Sequence, residues 1–229
     1  MRQFTRTQIV AGGCLLAFGA SFLNTGFILQ TGTSVSHLTG DIARIGSGLS
    51  TVGRESSDDV INVTIATVGF ILGATISGFT LHHPTIEIRM PYGRILTCLG
   101  LLLLVAHLSY SSYPFLAIGI ASAVCGAQNA LASRFRGLVL RTTHLTGLFT
   151  DLGIHLGMKL RKHRIEGWKL LVPICITLSF LLGAISSSML ILFYNENWIL
   201  TAGMAYVLGG IIWSVYKRML NNADRRAST

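Results

Sequence analysis

Long apolar runs separated by polar segments dominate this chain. Six stretches contain no charged residue: Ile9–Leu29, Val60–Leu81, Ile95–Tyr110, Phe115–Ala132, Leu170–Tyr194 and Trp198–Tyr216. A helix that crosses the hydrocarbon core of a bilayer needs about 20 mostly apolar residues. Five stretches fall in that range. The third reaches it when Tyr92, Gly93 and Arg94 extend it, because an arginine can hold its charge at the interface. The pattern predicts an all-α integral membrane protein with six transmembrane helices.

Composition and charge agree with a membrane location. Only 12% of the 229 residues are charged, whereas a soluble domain carries about 25% charged residues. The net charge of +9 would by itself suit nucleic acid. With the N-terminus inside, however, sixteen of the 18 Lys and Arg residues fall on the cytoplasmic side, and only Arg44 and Arg54 fall outside. This bias is typical of membrane topology, so we expect cytoplasmic N- and C-termini and no nucleic-acid partner.

A four-residue motif, His-Leu-Thr-Gly, occurs twice in the chain. The first HLTG element is His37–Gly40 and the second is His144–Gly147, 107 positions later. Other residues recur at the same offset, namely Gly19-Ala20 with Gly126-Ala127, Gly46 with Gly153 and Leu49 with Leu156. Self-similarity at a fixed offset indicates an internal duplication.

The number of helices between the two copies determines their relative orientation. Each HLTG element follows the first helix of a group of three, and an odd number of crossings separates the copies. The second copy must therefore insert upside down, as an inverted-topology repeat. We expect one membrane domain with a first three-helix repeat over residues 1–110 and a second over residues 111–229.

Each HLTG element is followed by a short amphipathic segment. Apolar residues recur at helical spacing in both, at Leu38, Ile42, Ile45 and Leu49 and at Leu145, Leu148, Leu152 and Leu156. We predict helices of about three turns, either re-entrant or interfacial, with Ser36 and Thr143 as N-terminal caps. Irregular backbone at membrane depth requires protein or a water-filled cavity around it, so each broken segment implies a cavity if it enters the bilayer.

Polar residues near the two elements are the candidates for a binding site. The set consists of Asn24, His37, Thr39, Asp41, Gln128, Asn129, Arg141, His144, Thr146 and Asp151. Asn24, Gln128 and Asn129 carry most weight, because a polar side chain inside an apolar span is costly unless it is paired. A purely structural role stays open, since asparagine and glutamine often only bond neighbouring helices and the threonines can be helix caps.

Metal and catalytic chemistry are not favoured by the pattern. His37 and Asp41 are spaced i, i+4, but Leu148 stands at the position equivalent to Asp41, so the pair is not repeated. We therefore expect no metal site and no cofactor. The chain has no GxSxG, HExxH, P-loop or dinucleotide-binding signature. An enzyme is therefore less favoured, although the sequence leaves it open.

These motifs resemble the signatures of a known family. Ala20–Gly26 with Gly32 and Ser36–Gly40, and Gly126–Ala130 with Arg141–Gly147 and Thr150–Ile154, are similar to the two signatures of the YoaK-like family of bacterial membrane proteins. The resemblance covers essentially the whole chain. It implies a bacterial inner-membrane protein with about six helices and no established activity. Asp41 departs from the pattern, because many relatives carry asparagine there.

The leading functional hypothesis is a secondary transporter or permease for a small polar or anionic solute. Half-helix N-termini near the bilayer midplane would offer free N–H groups and positive dipole ends, and Arg141 lies nearby in the sequence. Asp41, Asp151, His37 or His144 are candidates to couple a proton. The alternatives are a membrane-embedded enzyme or lipid-handling protein, a channel, and a non-catalytic scaffold. Membrane lipid is an expected partner, and a homodimer is considered because one small chain encloses only a small site.

Overall fold

The chain forms eight α-helices in a computed structural model, which describes residues 5–50, 57–81, 91–131, 142–194 and 197–226. The helices are α1 Arg6–Thr31, α2 Leu38–Ser50, α3 Ser57–Leu81, α4 Tyr92–Tyr110, α5 Pro114–Leu131, α6 Leu145–Leu160, α7 Trp168–Tyr194 and α8 Trp198–Arg226. The described residues contain no strand.

Six of these helices are long and apolar enough to cross a membrane. They are α1, α3, α4, α5, α7 and α8, which confirms the predicted all-α class and the six predicted spans. The fourth helix begins at Tyr92, directly after Pro91, so Arg94 belongs to the helix as expected. Large apolar side chains cover the outside of the bundle, among them Phe79 and Leu108. An exterior of this kind suits lipid rather than water.

Glycines bring the spanning helices together in pairs. Along α3 and α5, β-carbons at Gly69 and Gly73 would overlap the backbone carbonyls of Gly119 and Ala123. The residue numbers at these contacts increase in the same direction along both helices, so α3 and α5 run parallel. Between α1 and α7, Gly183 meets the backbone of Phe18. Small residues let membrane helices approach closely, which favours van der Waals contact and association.

The α4/α8 pair is antiparallel and also depends on glycine. Gly93 lies against the Gly210 carbonyl, and Gly100 lies against the Gly203 carbonyl. The residue number therefore rises along one helix as it falls along the other. Each helix places its two glycines seven residues apart, so the same helix face meets the partner at both points.

A buried core joins α1, α4, α5 and α8. Leu23, Phe27, Leu103, Ile118 and Ile199 are almost completely buried there. At one end, the Trp198 ring makes an edge-on contact with Phe27, with ring centroids 4.5 Å apart, and lies over Gly26. A larger side chain at Gly26 would displace this ring. The two short helices lie outside this core, α2 against α3 and α6 against α7.

Candidate functional site

The first polar segment turns back immediately after α1. Gly32 ends that helix with φ of 68°, a left-handed conformation that glycine adopts at low cost. The Asn24 side chain then fixes the returning chain. Its Oδ1 atom accepts hydrogen bonds from Ser34 Oγ at 2.9 Å, Val35 N at 3.0 Å and Ser36 N at 3.0 Å. Asn24 is 3% exposed, so these donors depend on its carbonyl oxygen.

The returning chain reaches the middle of the bundle. Ser122, midway along α5, donates a hydrogen bond to Val35 O at 2.8 Å. The His37 ring packs edge-on against Phe180, midway along α7, with centroids 5.3 Å apart. The segment just before α2 therefore lies against α5 and α7, below the end of α1.

His37 is half-buried at this point. Its Nδ1 atom lies 3.1 Å from Ser36 Oγ, and its backbone N–H donates to Ser34 Oγ at 2.8 Å. Burial lowers the pKa of the ring, because leaving water disfavours the charged form. Thr39 in the next turn is exposed.

Asp41 is the most unusual side chain of the first turn of α2. It is only 4% exposed, and its Oδ2 atom is buried and has no hydrogen-bond partner among the described residues. Burial raises the pKa of the carboxyl, and the charge of Arg44 partly offsets this. Arg44 itself donates to Gly32 O at 2.9 Å and lies 3.9 Å from the Asp59 carboxylate. It ties α2 to the end of α1 and to α3.

Amides from α5 hold the second polar segment. Asn129 Nδ2 donates to Thr143 Oγ1 at 2.8 Å, and Thr142 Oγ1 donates to Asn129 Oδ1 at 3.2 Å. The prediction that Thr143 caps α6 is wrong, because α6 starts after His144 without a side-chain cap and the Thr143 hydroxyl accepts from Asn129 instead.

Gln128 joins this segment to the rest of the bundle. Its Nε2 atom donates to Leu16 O, midway along α1, at 2.6 Å. Its Oε1 atom accepts a hydrogen bond from the Tyr206 hydroxyl of α8. Gln128 is fully buried, so one amide links α1, α5 and α8.

The candidate side chains in and just after the second HLTG element are exposed. His144, Thr146 and Asp151 are all exposed. The His144 ring lies over Gly147, where a β-carbon would come within 2.8 Å of Nε2. Arg141 lies outside the described residues.

The candidate residues thus form two groups. Asn24, His37 and Asp41 belong to the first segment, and Gln128 and Asn129 support the second. Both segments border α7: Phe180 contacts His37 and also packs on the cluster that contains Leu148. Reasoning from sequence missed Ser34, Ser122, Thr142 and Tyr206. The hydroxyls beside each motif were a readable signal for Ser34 and Thr142, whereas nothing local marks Tyr206.

A cavity of about 500 Å³ lies elsewhere, between α1 and α8. Its wall is almost entirely apolar and includes Gly12, Leu16, Phe22, Ala205 and Trp213. None of the nine candidate residues that the structure describes lines it. The cavity is therefore separate from the two HLTG elements. Its apolar walls also offer few polar groups to orient a solute.

These features define a multi-pass α-helical membrane protein with two short helices inserted after its first and fourth spans. The chain belongs to the family described as "Protein of unknown function (DUF1275)", whose profile matches residues 12–212. This confirms the family resemblance of the two HLTG signatures. No curated protein and no solved structure matches the chain.

Proposed function

We propose that this protein is a secondary transporter or permease of the bacterial cytoplasmic membrane, with both termini inside. It would carry a small polar or anionic solute between its two HLTG elements. The observation that carries the proposal is that the first polar segment enters the bundle, meets Ser122 and Phe180 midway along their helices, and starts α2 there. Membrane transporters use interrupted segments of this kind to expose backbone groups to a solute.

An inverted repeat within the fold is part of the proposal. Exchanging α1 with α5, α2 with α6, α3 with α7 and α4 with α8 turns the α3/α5 pair into α7/α1 and the α2/α3 pair into α6/α7. All four of these pairs are in contact. The same exchange returns α4/α8 to itself.

The glycines of α4 and α8 support the same symmetry. An offset of 110 residues relates Gly93 to Gly203 and Gly100 to Gly210. A two-fold axis between the helices would convert the Gly93–Gly210 contact into the Gly203–Gly100 contact, and both exist. Such an axis in the membrane plane relates inverted repeats, and it would bring the second HLTG element to the matching depth from the other side.

Within this proposal the amides and the motif residues have different roles. The hydrogen bonds of Asn24 and Asn129 are used to hold the two segments, and those of Gln128 tie α5 to α1 and α8. They position the site. Solute contacts would come from the exposed Thr39, His144 and Thr146 together with the N–H groups at the helix starts, which favour negative charge. The remaining candidates, His37, Asp41, Arg141 and Asp151, would line or neighbour the path.

Solute entry into proteoliposomes tests the proposal. Vesicles with the purified protein would be challenged with urea, glycerol, formate, acetate and inorganic phosphate, and volume recovery followed by stopped-flow light scattering. We expect at least one solute to enter faster than in protein-free vesicles. His144→Ala should reduce this rate about tenfold, a loss of about 1.4 kcal/mol. His163→Ala is the matched control, because His163 is exposed beyond the end of α6.

The outcomes separate the alternative functions. A rate equal to that of empty vesicles for every solute would count against transport and favour the scaffold or enzyme hypotheses. A flux that scales linearly with concentration and never saturates would indicate a channel. Equal rates for the His144 and His163 variants would reject the second HLTG element as the site.

A further inference from the structure

Asp41 differs from the other acidic residues in its burial. Among the carboxylates whose side chains the structure describes, Asp151 is exposed, and Asp59 and Glu166 have side chains 46% and 58% exposed. Asp41 is 4% exposed. A buried, ionised carboxylate without hydrogen-bond donors is costly, and such groups usually become neutral.

The register of α2 and α3 identifies a neighbour for this carboxyl. The two helices pack together and are joined by a connection of six residues, 51–56, so they run antiparallel. Arg44 and Asp59 meet across their interface at 3.9 Å. One turn further from the connection on each helix are Asp41 and Asn62. Residues three apart share a helix face, so these two side chains lie at the same level.

Asn62 also has a buried oxygen atom that lacks a hydrogen-bond partner in the part of the chain that the structure describes. Its Oδ1 atom is buried and accepts no hydrogen bond among the described residues. Asp41 Oδ2 is in the same situation. An ionised carboxylate is only an acceptor, and so is an amide oxygen. With Asn62 Oδ1 facing it, the Asp41 carboxyl can bond that oxygen only when the carboxyl carries a proton. An amide turned so that Nδ2 donates to an ionised Asp41 is the opposing outcome of the test below.

The described charged groups on the neighbouring helices do not supply a hydrogen-bond donor to the Asp41 carboxyl. Arg44 is engaged with Gly32 O and with Asp59. The α3 helix carries no charge beyond Asp58 and Asp59 at its start, α5 carries none, and Lys169 at the far start of α7 is the one charge on that helix. His37, one residue before α2, has its ring on Ser36 and Phe180.

We propose that Asp41 and Asn62 form a proton-binding site, in which neutral Asp41 donates a hydrogen bond to the Asn62 carbonyl oxygen. The release and uptake of this proton would couple solute movement to the proton gradient. The coupling role rests on the transport function proposed above, whereas the proton site does not. A proton suits the site better than a divalent cation, which takes about six to eight oxygen ligands.

The reactivity of the carboxyl tests the site without any knowledge of the solute. The O–H of a protonated carboxyl in an apolar environment adds across a C=N bond of dicyclohexylcarbodiimide, with its oxygen on carbon and its proton on nitrogen. The acyl group of this O-acylisourea then migrates from oxygen to nitrogen and gives a stable N-acylurea. The purified protein would be labelled at a series of values between about pH 5 and pH 9, well above the ordinary range of aspartate. Peptide mass spectrometry would then locate the adduct. We expect labelling at Asp41 that declines as pH rises, and none at Asp151.

Two variants make the test specific. Asp41→Asn should remove the adduct. Asn62→Asp would place a second carboxylate beside Asp41, which holds the shared proton more tightly, so labelling should persist to higher pH. No labelling of Asp41 at any pH would overturn the proposal, and so would a labelling profile unchanged by Asn62→Asp. Suppression of labelling by sodium at constant pH would overturn it in favour of a sodium site.

The coupling role has its own readout. In proteoliposomes loaded with a pH-sensitive dye, the wild-type protein should acidify the lumen when solute enters, and Asp41→Asn should lose this acidification. Labelling of Asp41 together with an absence of any solute flux would leave the proton site standing and reject the transport function. Flux without acidification would reject the coupling role alone.

Discussion

The two HLTG elements have the same four residues and different surroundings. The His37 ring is half-buried against Ser36 and Phe180, while the His144 ring is exposed and lies over Gly147. A β-carbon at Gly40 would meet nothing within 4 Å. The histidine of the element is therefore half-buried in one half of the molecule and exposed in the other, while Thr39 and Thr146 are exposed in both.

The supports of the two elements differ in the same direction. Asn24 holds two backbone N–H groups and one hydroxyl, whereas the bonds of Asn129 within the described residues go to threonine side chains. Backbone donors cannot turn to another partner, but a hydroxyl can rotate. The first segment is therefore the more strictly defined, and a difference in stability between matched variants should reveal it.

The largest effect is expected from removing the two asparagines. Asn24→Leu removes the acceptor of two buried backbone N–H groups, at about 1–3 kcal/mol each, so we expect a loss of about 3 kcal/mol or more. Asn129→Leu should cost about 1–2 kcal/mol, because the threonine hydroxyls can find other acceptors. Thermal unfolding in detergent measures both. Asn24→Asp keeps the acceptor and serves as the control. Equal losses for the two leucine variants would contradict the proposed difference.

The fold was more predictable from sequence than the site. Uncharged runs fix the spans because a charge inside lipid is costly, and the six helices follow directly from them. The site depends on contacts between residues far apart in the chain. Ser122 meets Val35 across 87 positions, and Tyr206 meets Gln128 across 78. No local pattern encodes such pairs. Asn24 was found because it is polar within an apolar run, but its role as a support required the structure.

The second effect concerns the acidic residues of the two halves, Asp41 and Asp151. Burial raises the pKa of Asp41 in the folded protein. Its contribution to stability is therefore fully present below the pKa of the unfolded chain, and it is lost as pH rises through the higher pKa of the folded state. Asp41→Asn should remove this loss. It should melt about 2–4 °C above the wild type at neutral pH, as expected for about 1 kcal/mol, with no difference at low pH.

The control for this comparison is Asp151→Asn, which alters an exposed carboxylate of the second half. Its melting temperature at neutral pH should stay close to that of the wild type, because surface substitutions usually change stability little. If Asp41→Asn melted below the wild type at neutral pH, the carboxylate would be ionised and stabilising, and the contrast between the halves would fail.

Glycine replacement should stabilise the protein in the first element and not in the second. Gly40→Ala meets open space on a helix and should stabilise by up to about 1 kcal/mol, because alanine favours the helix. Gly147→Ala places its methyl group against the His144 ring, so it should not gain this stability and should lower solute flux by displacing that ring. Melting curves and vesicle swelling measure the two effects. A gain of stability with full flux at Gly147 would show that the ring position is unimportant.

The smallest effect distinguishes the two histidines. Burial lowers the pKa of His37 in the folded protein. Its contribution to stability is present above the pKa of the unfolded chain and is lost as pH falls through the lower folded pKa. The change in stability with pH that His37 causes has the opposite sign to the change that Asp41 causes. We would therefore measure it in the Asp41→Asn variant, which lacks the Asp41 contribution. In that variant, adding His37→Gln should reduce the fall in melting temperature on acidification by at most about 2 °C. His144→Gln, which alters the exposed ring of the second element, is the comparison variant. Equal effects of the two variants on the pH dependence of melting would mean that the two rings share one environment. The contrast between a half-buried His37 and an exposed His144 would then be wrong.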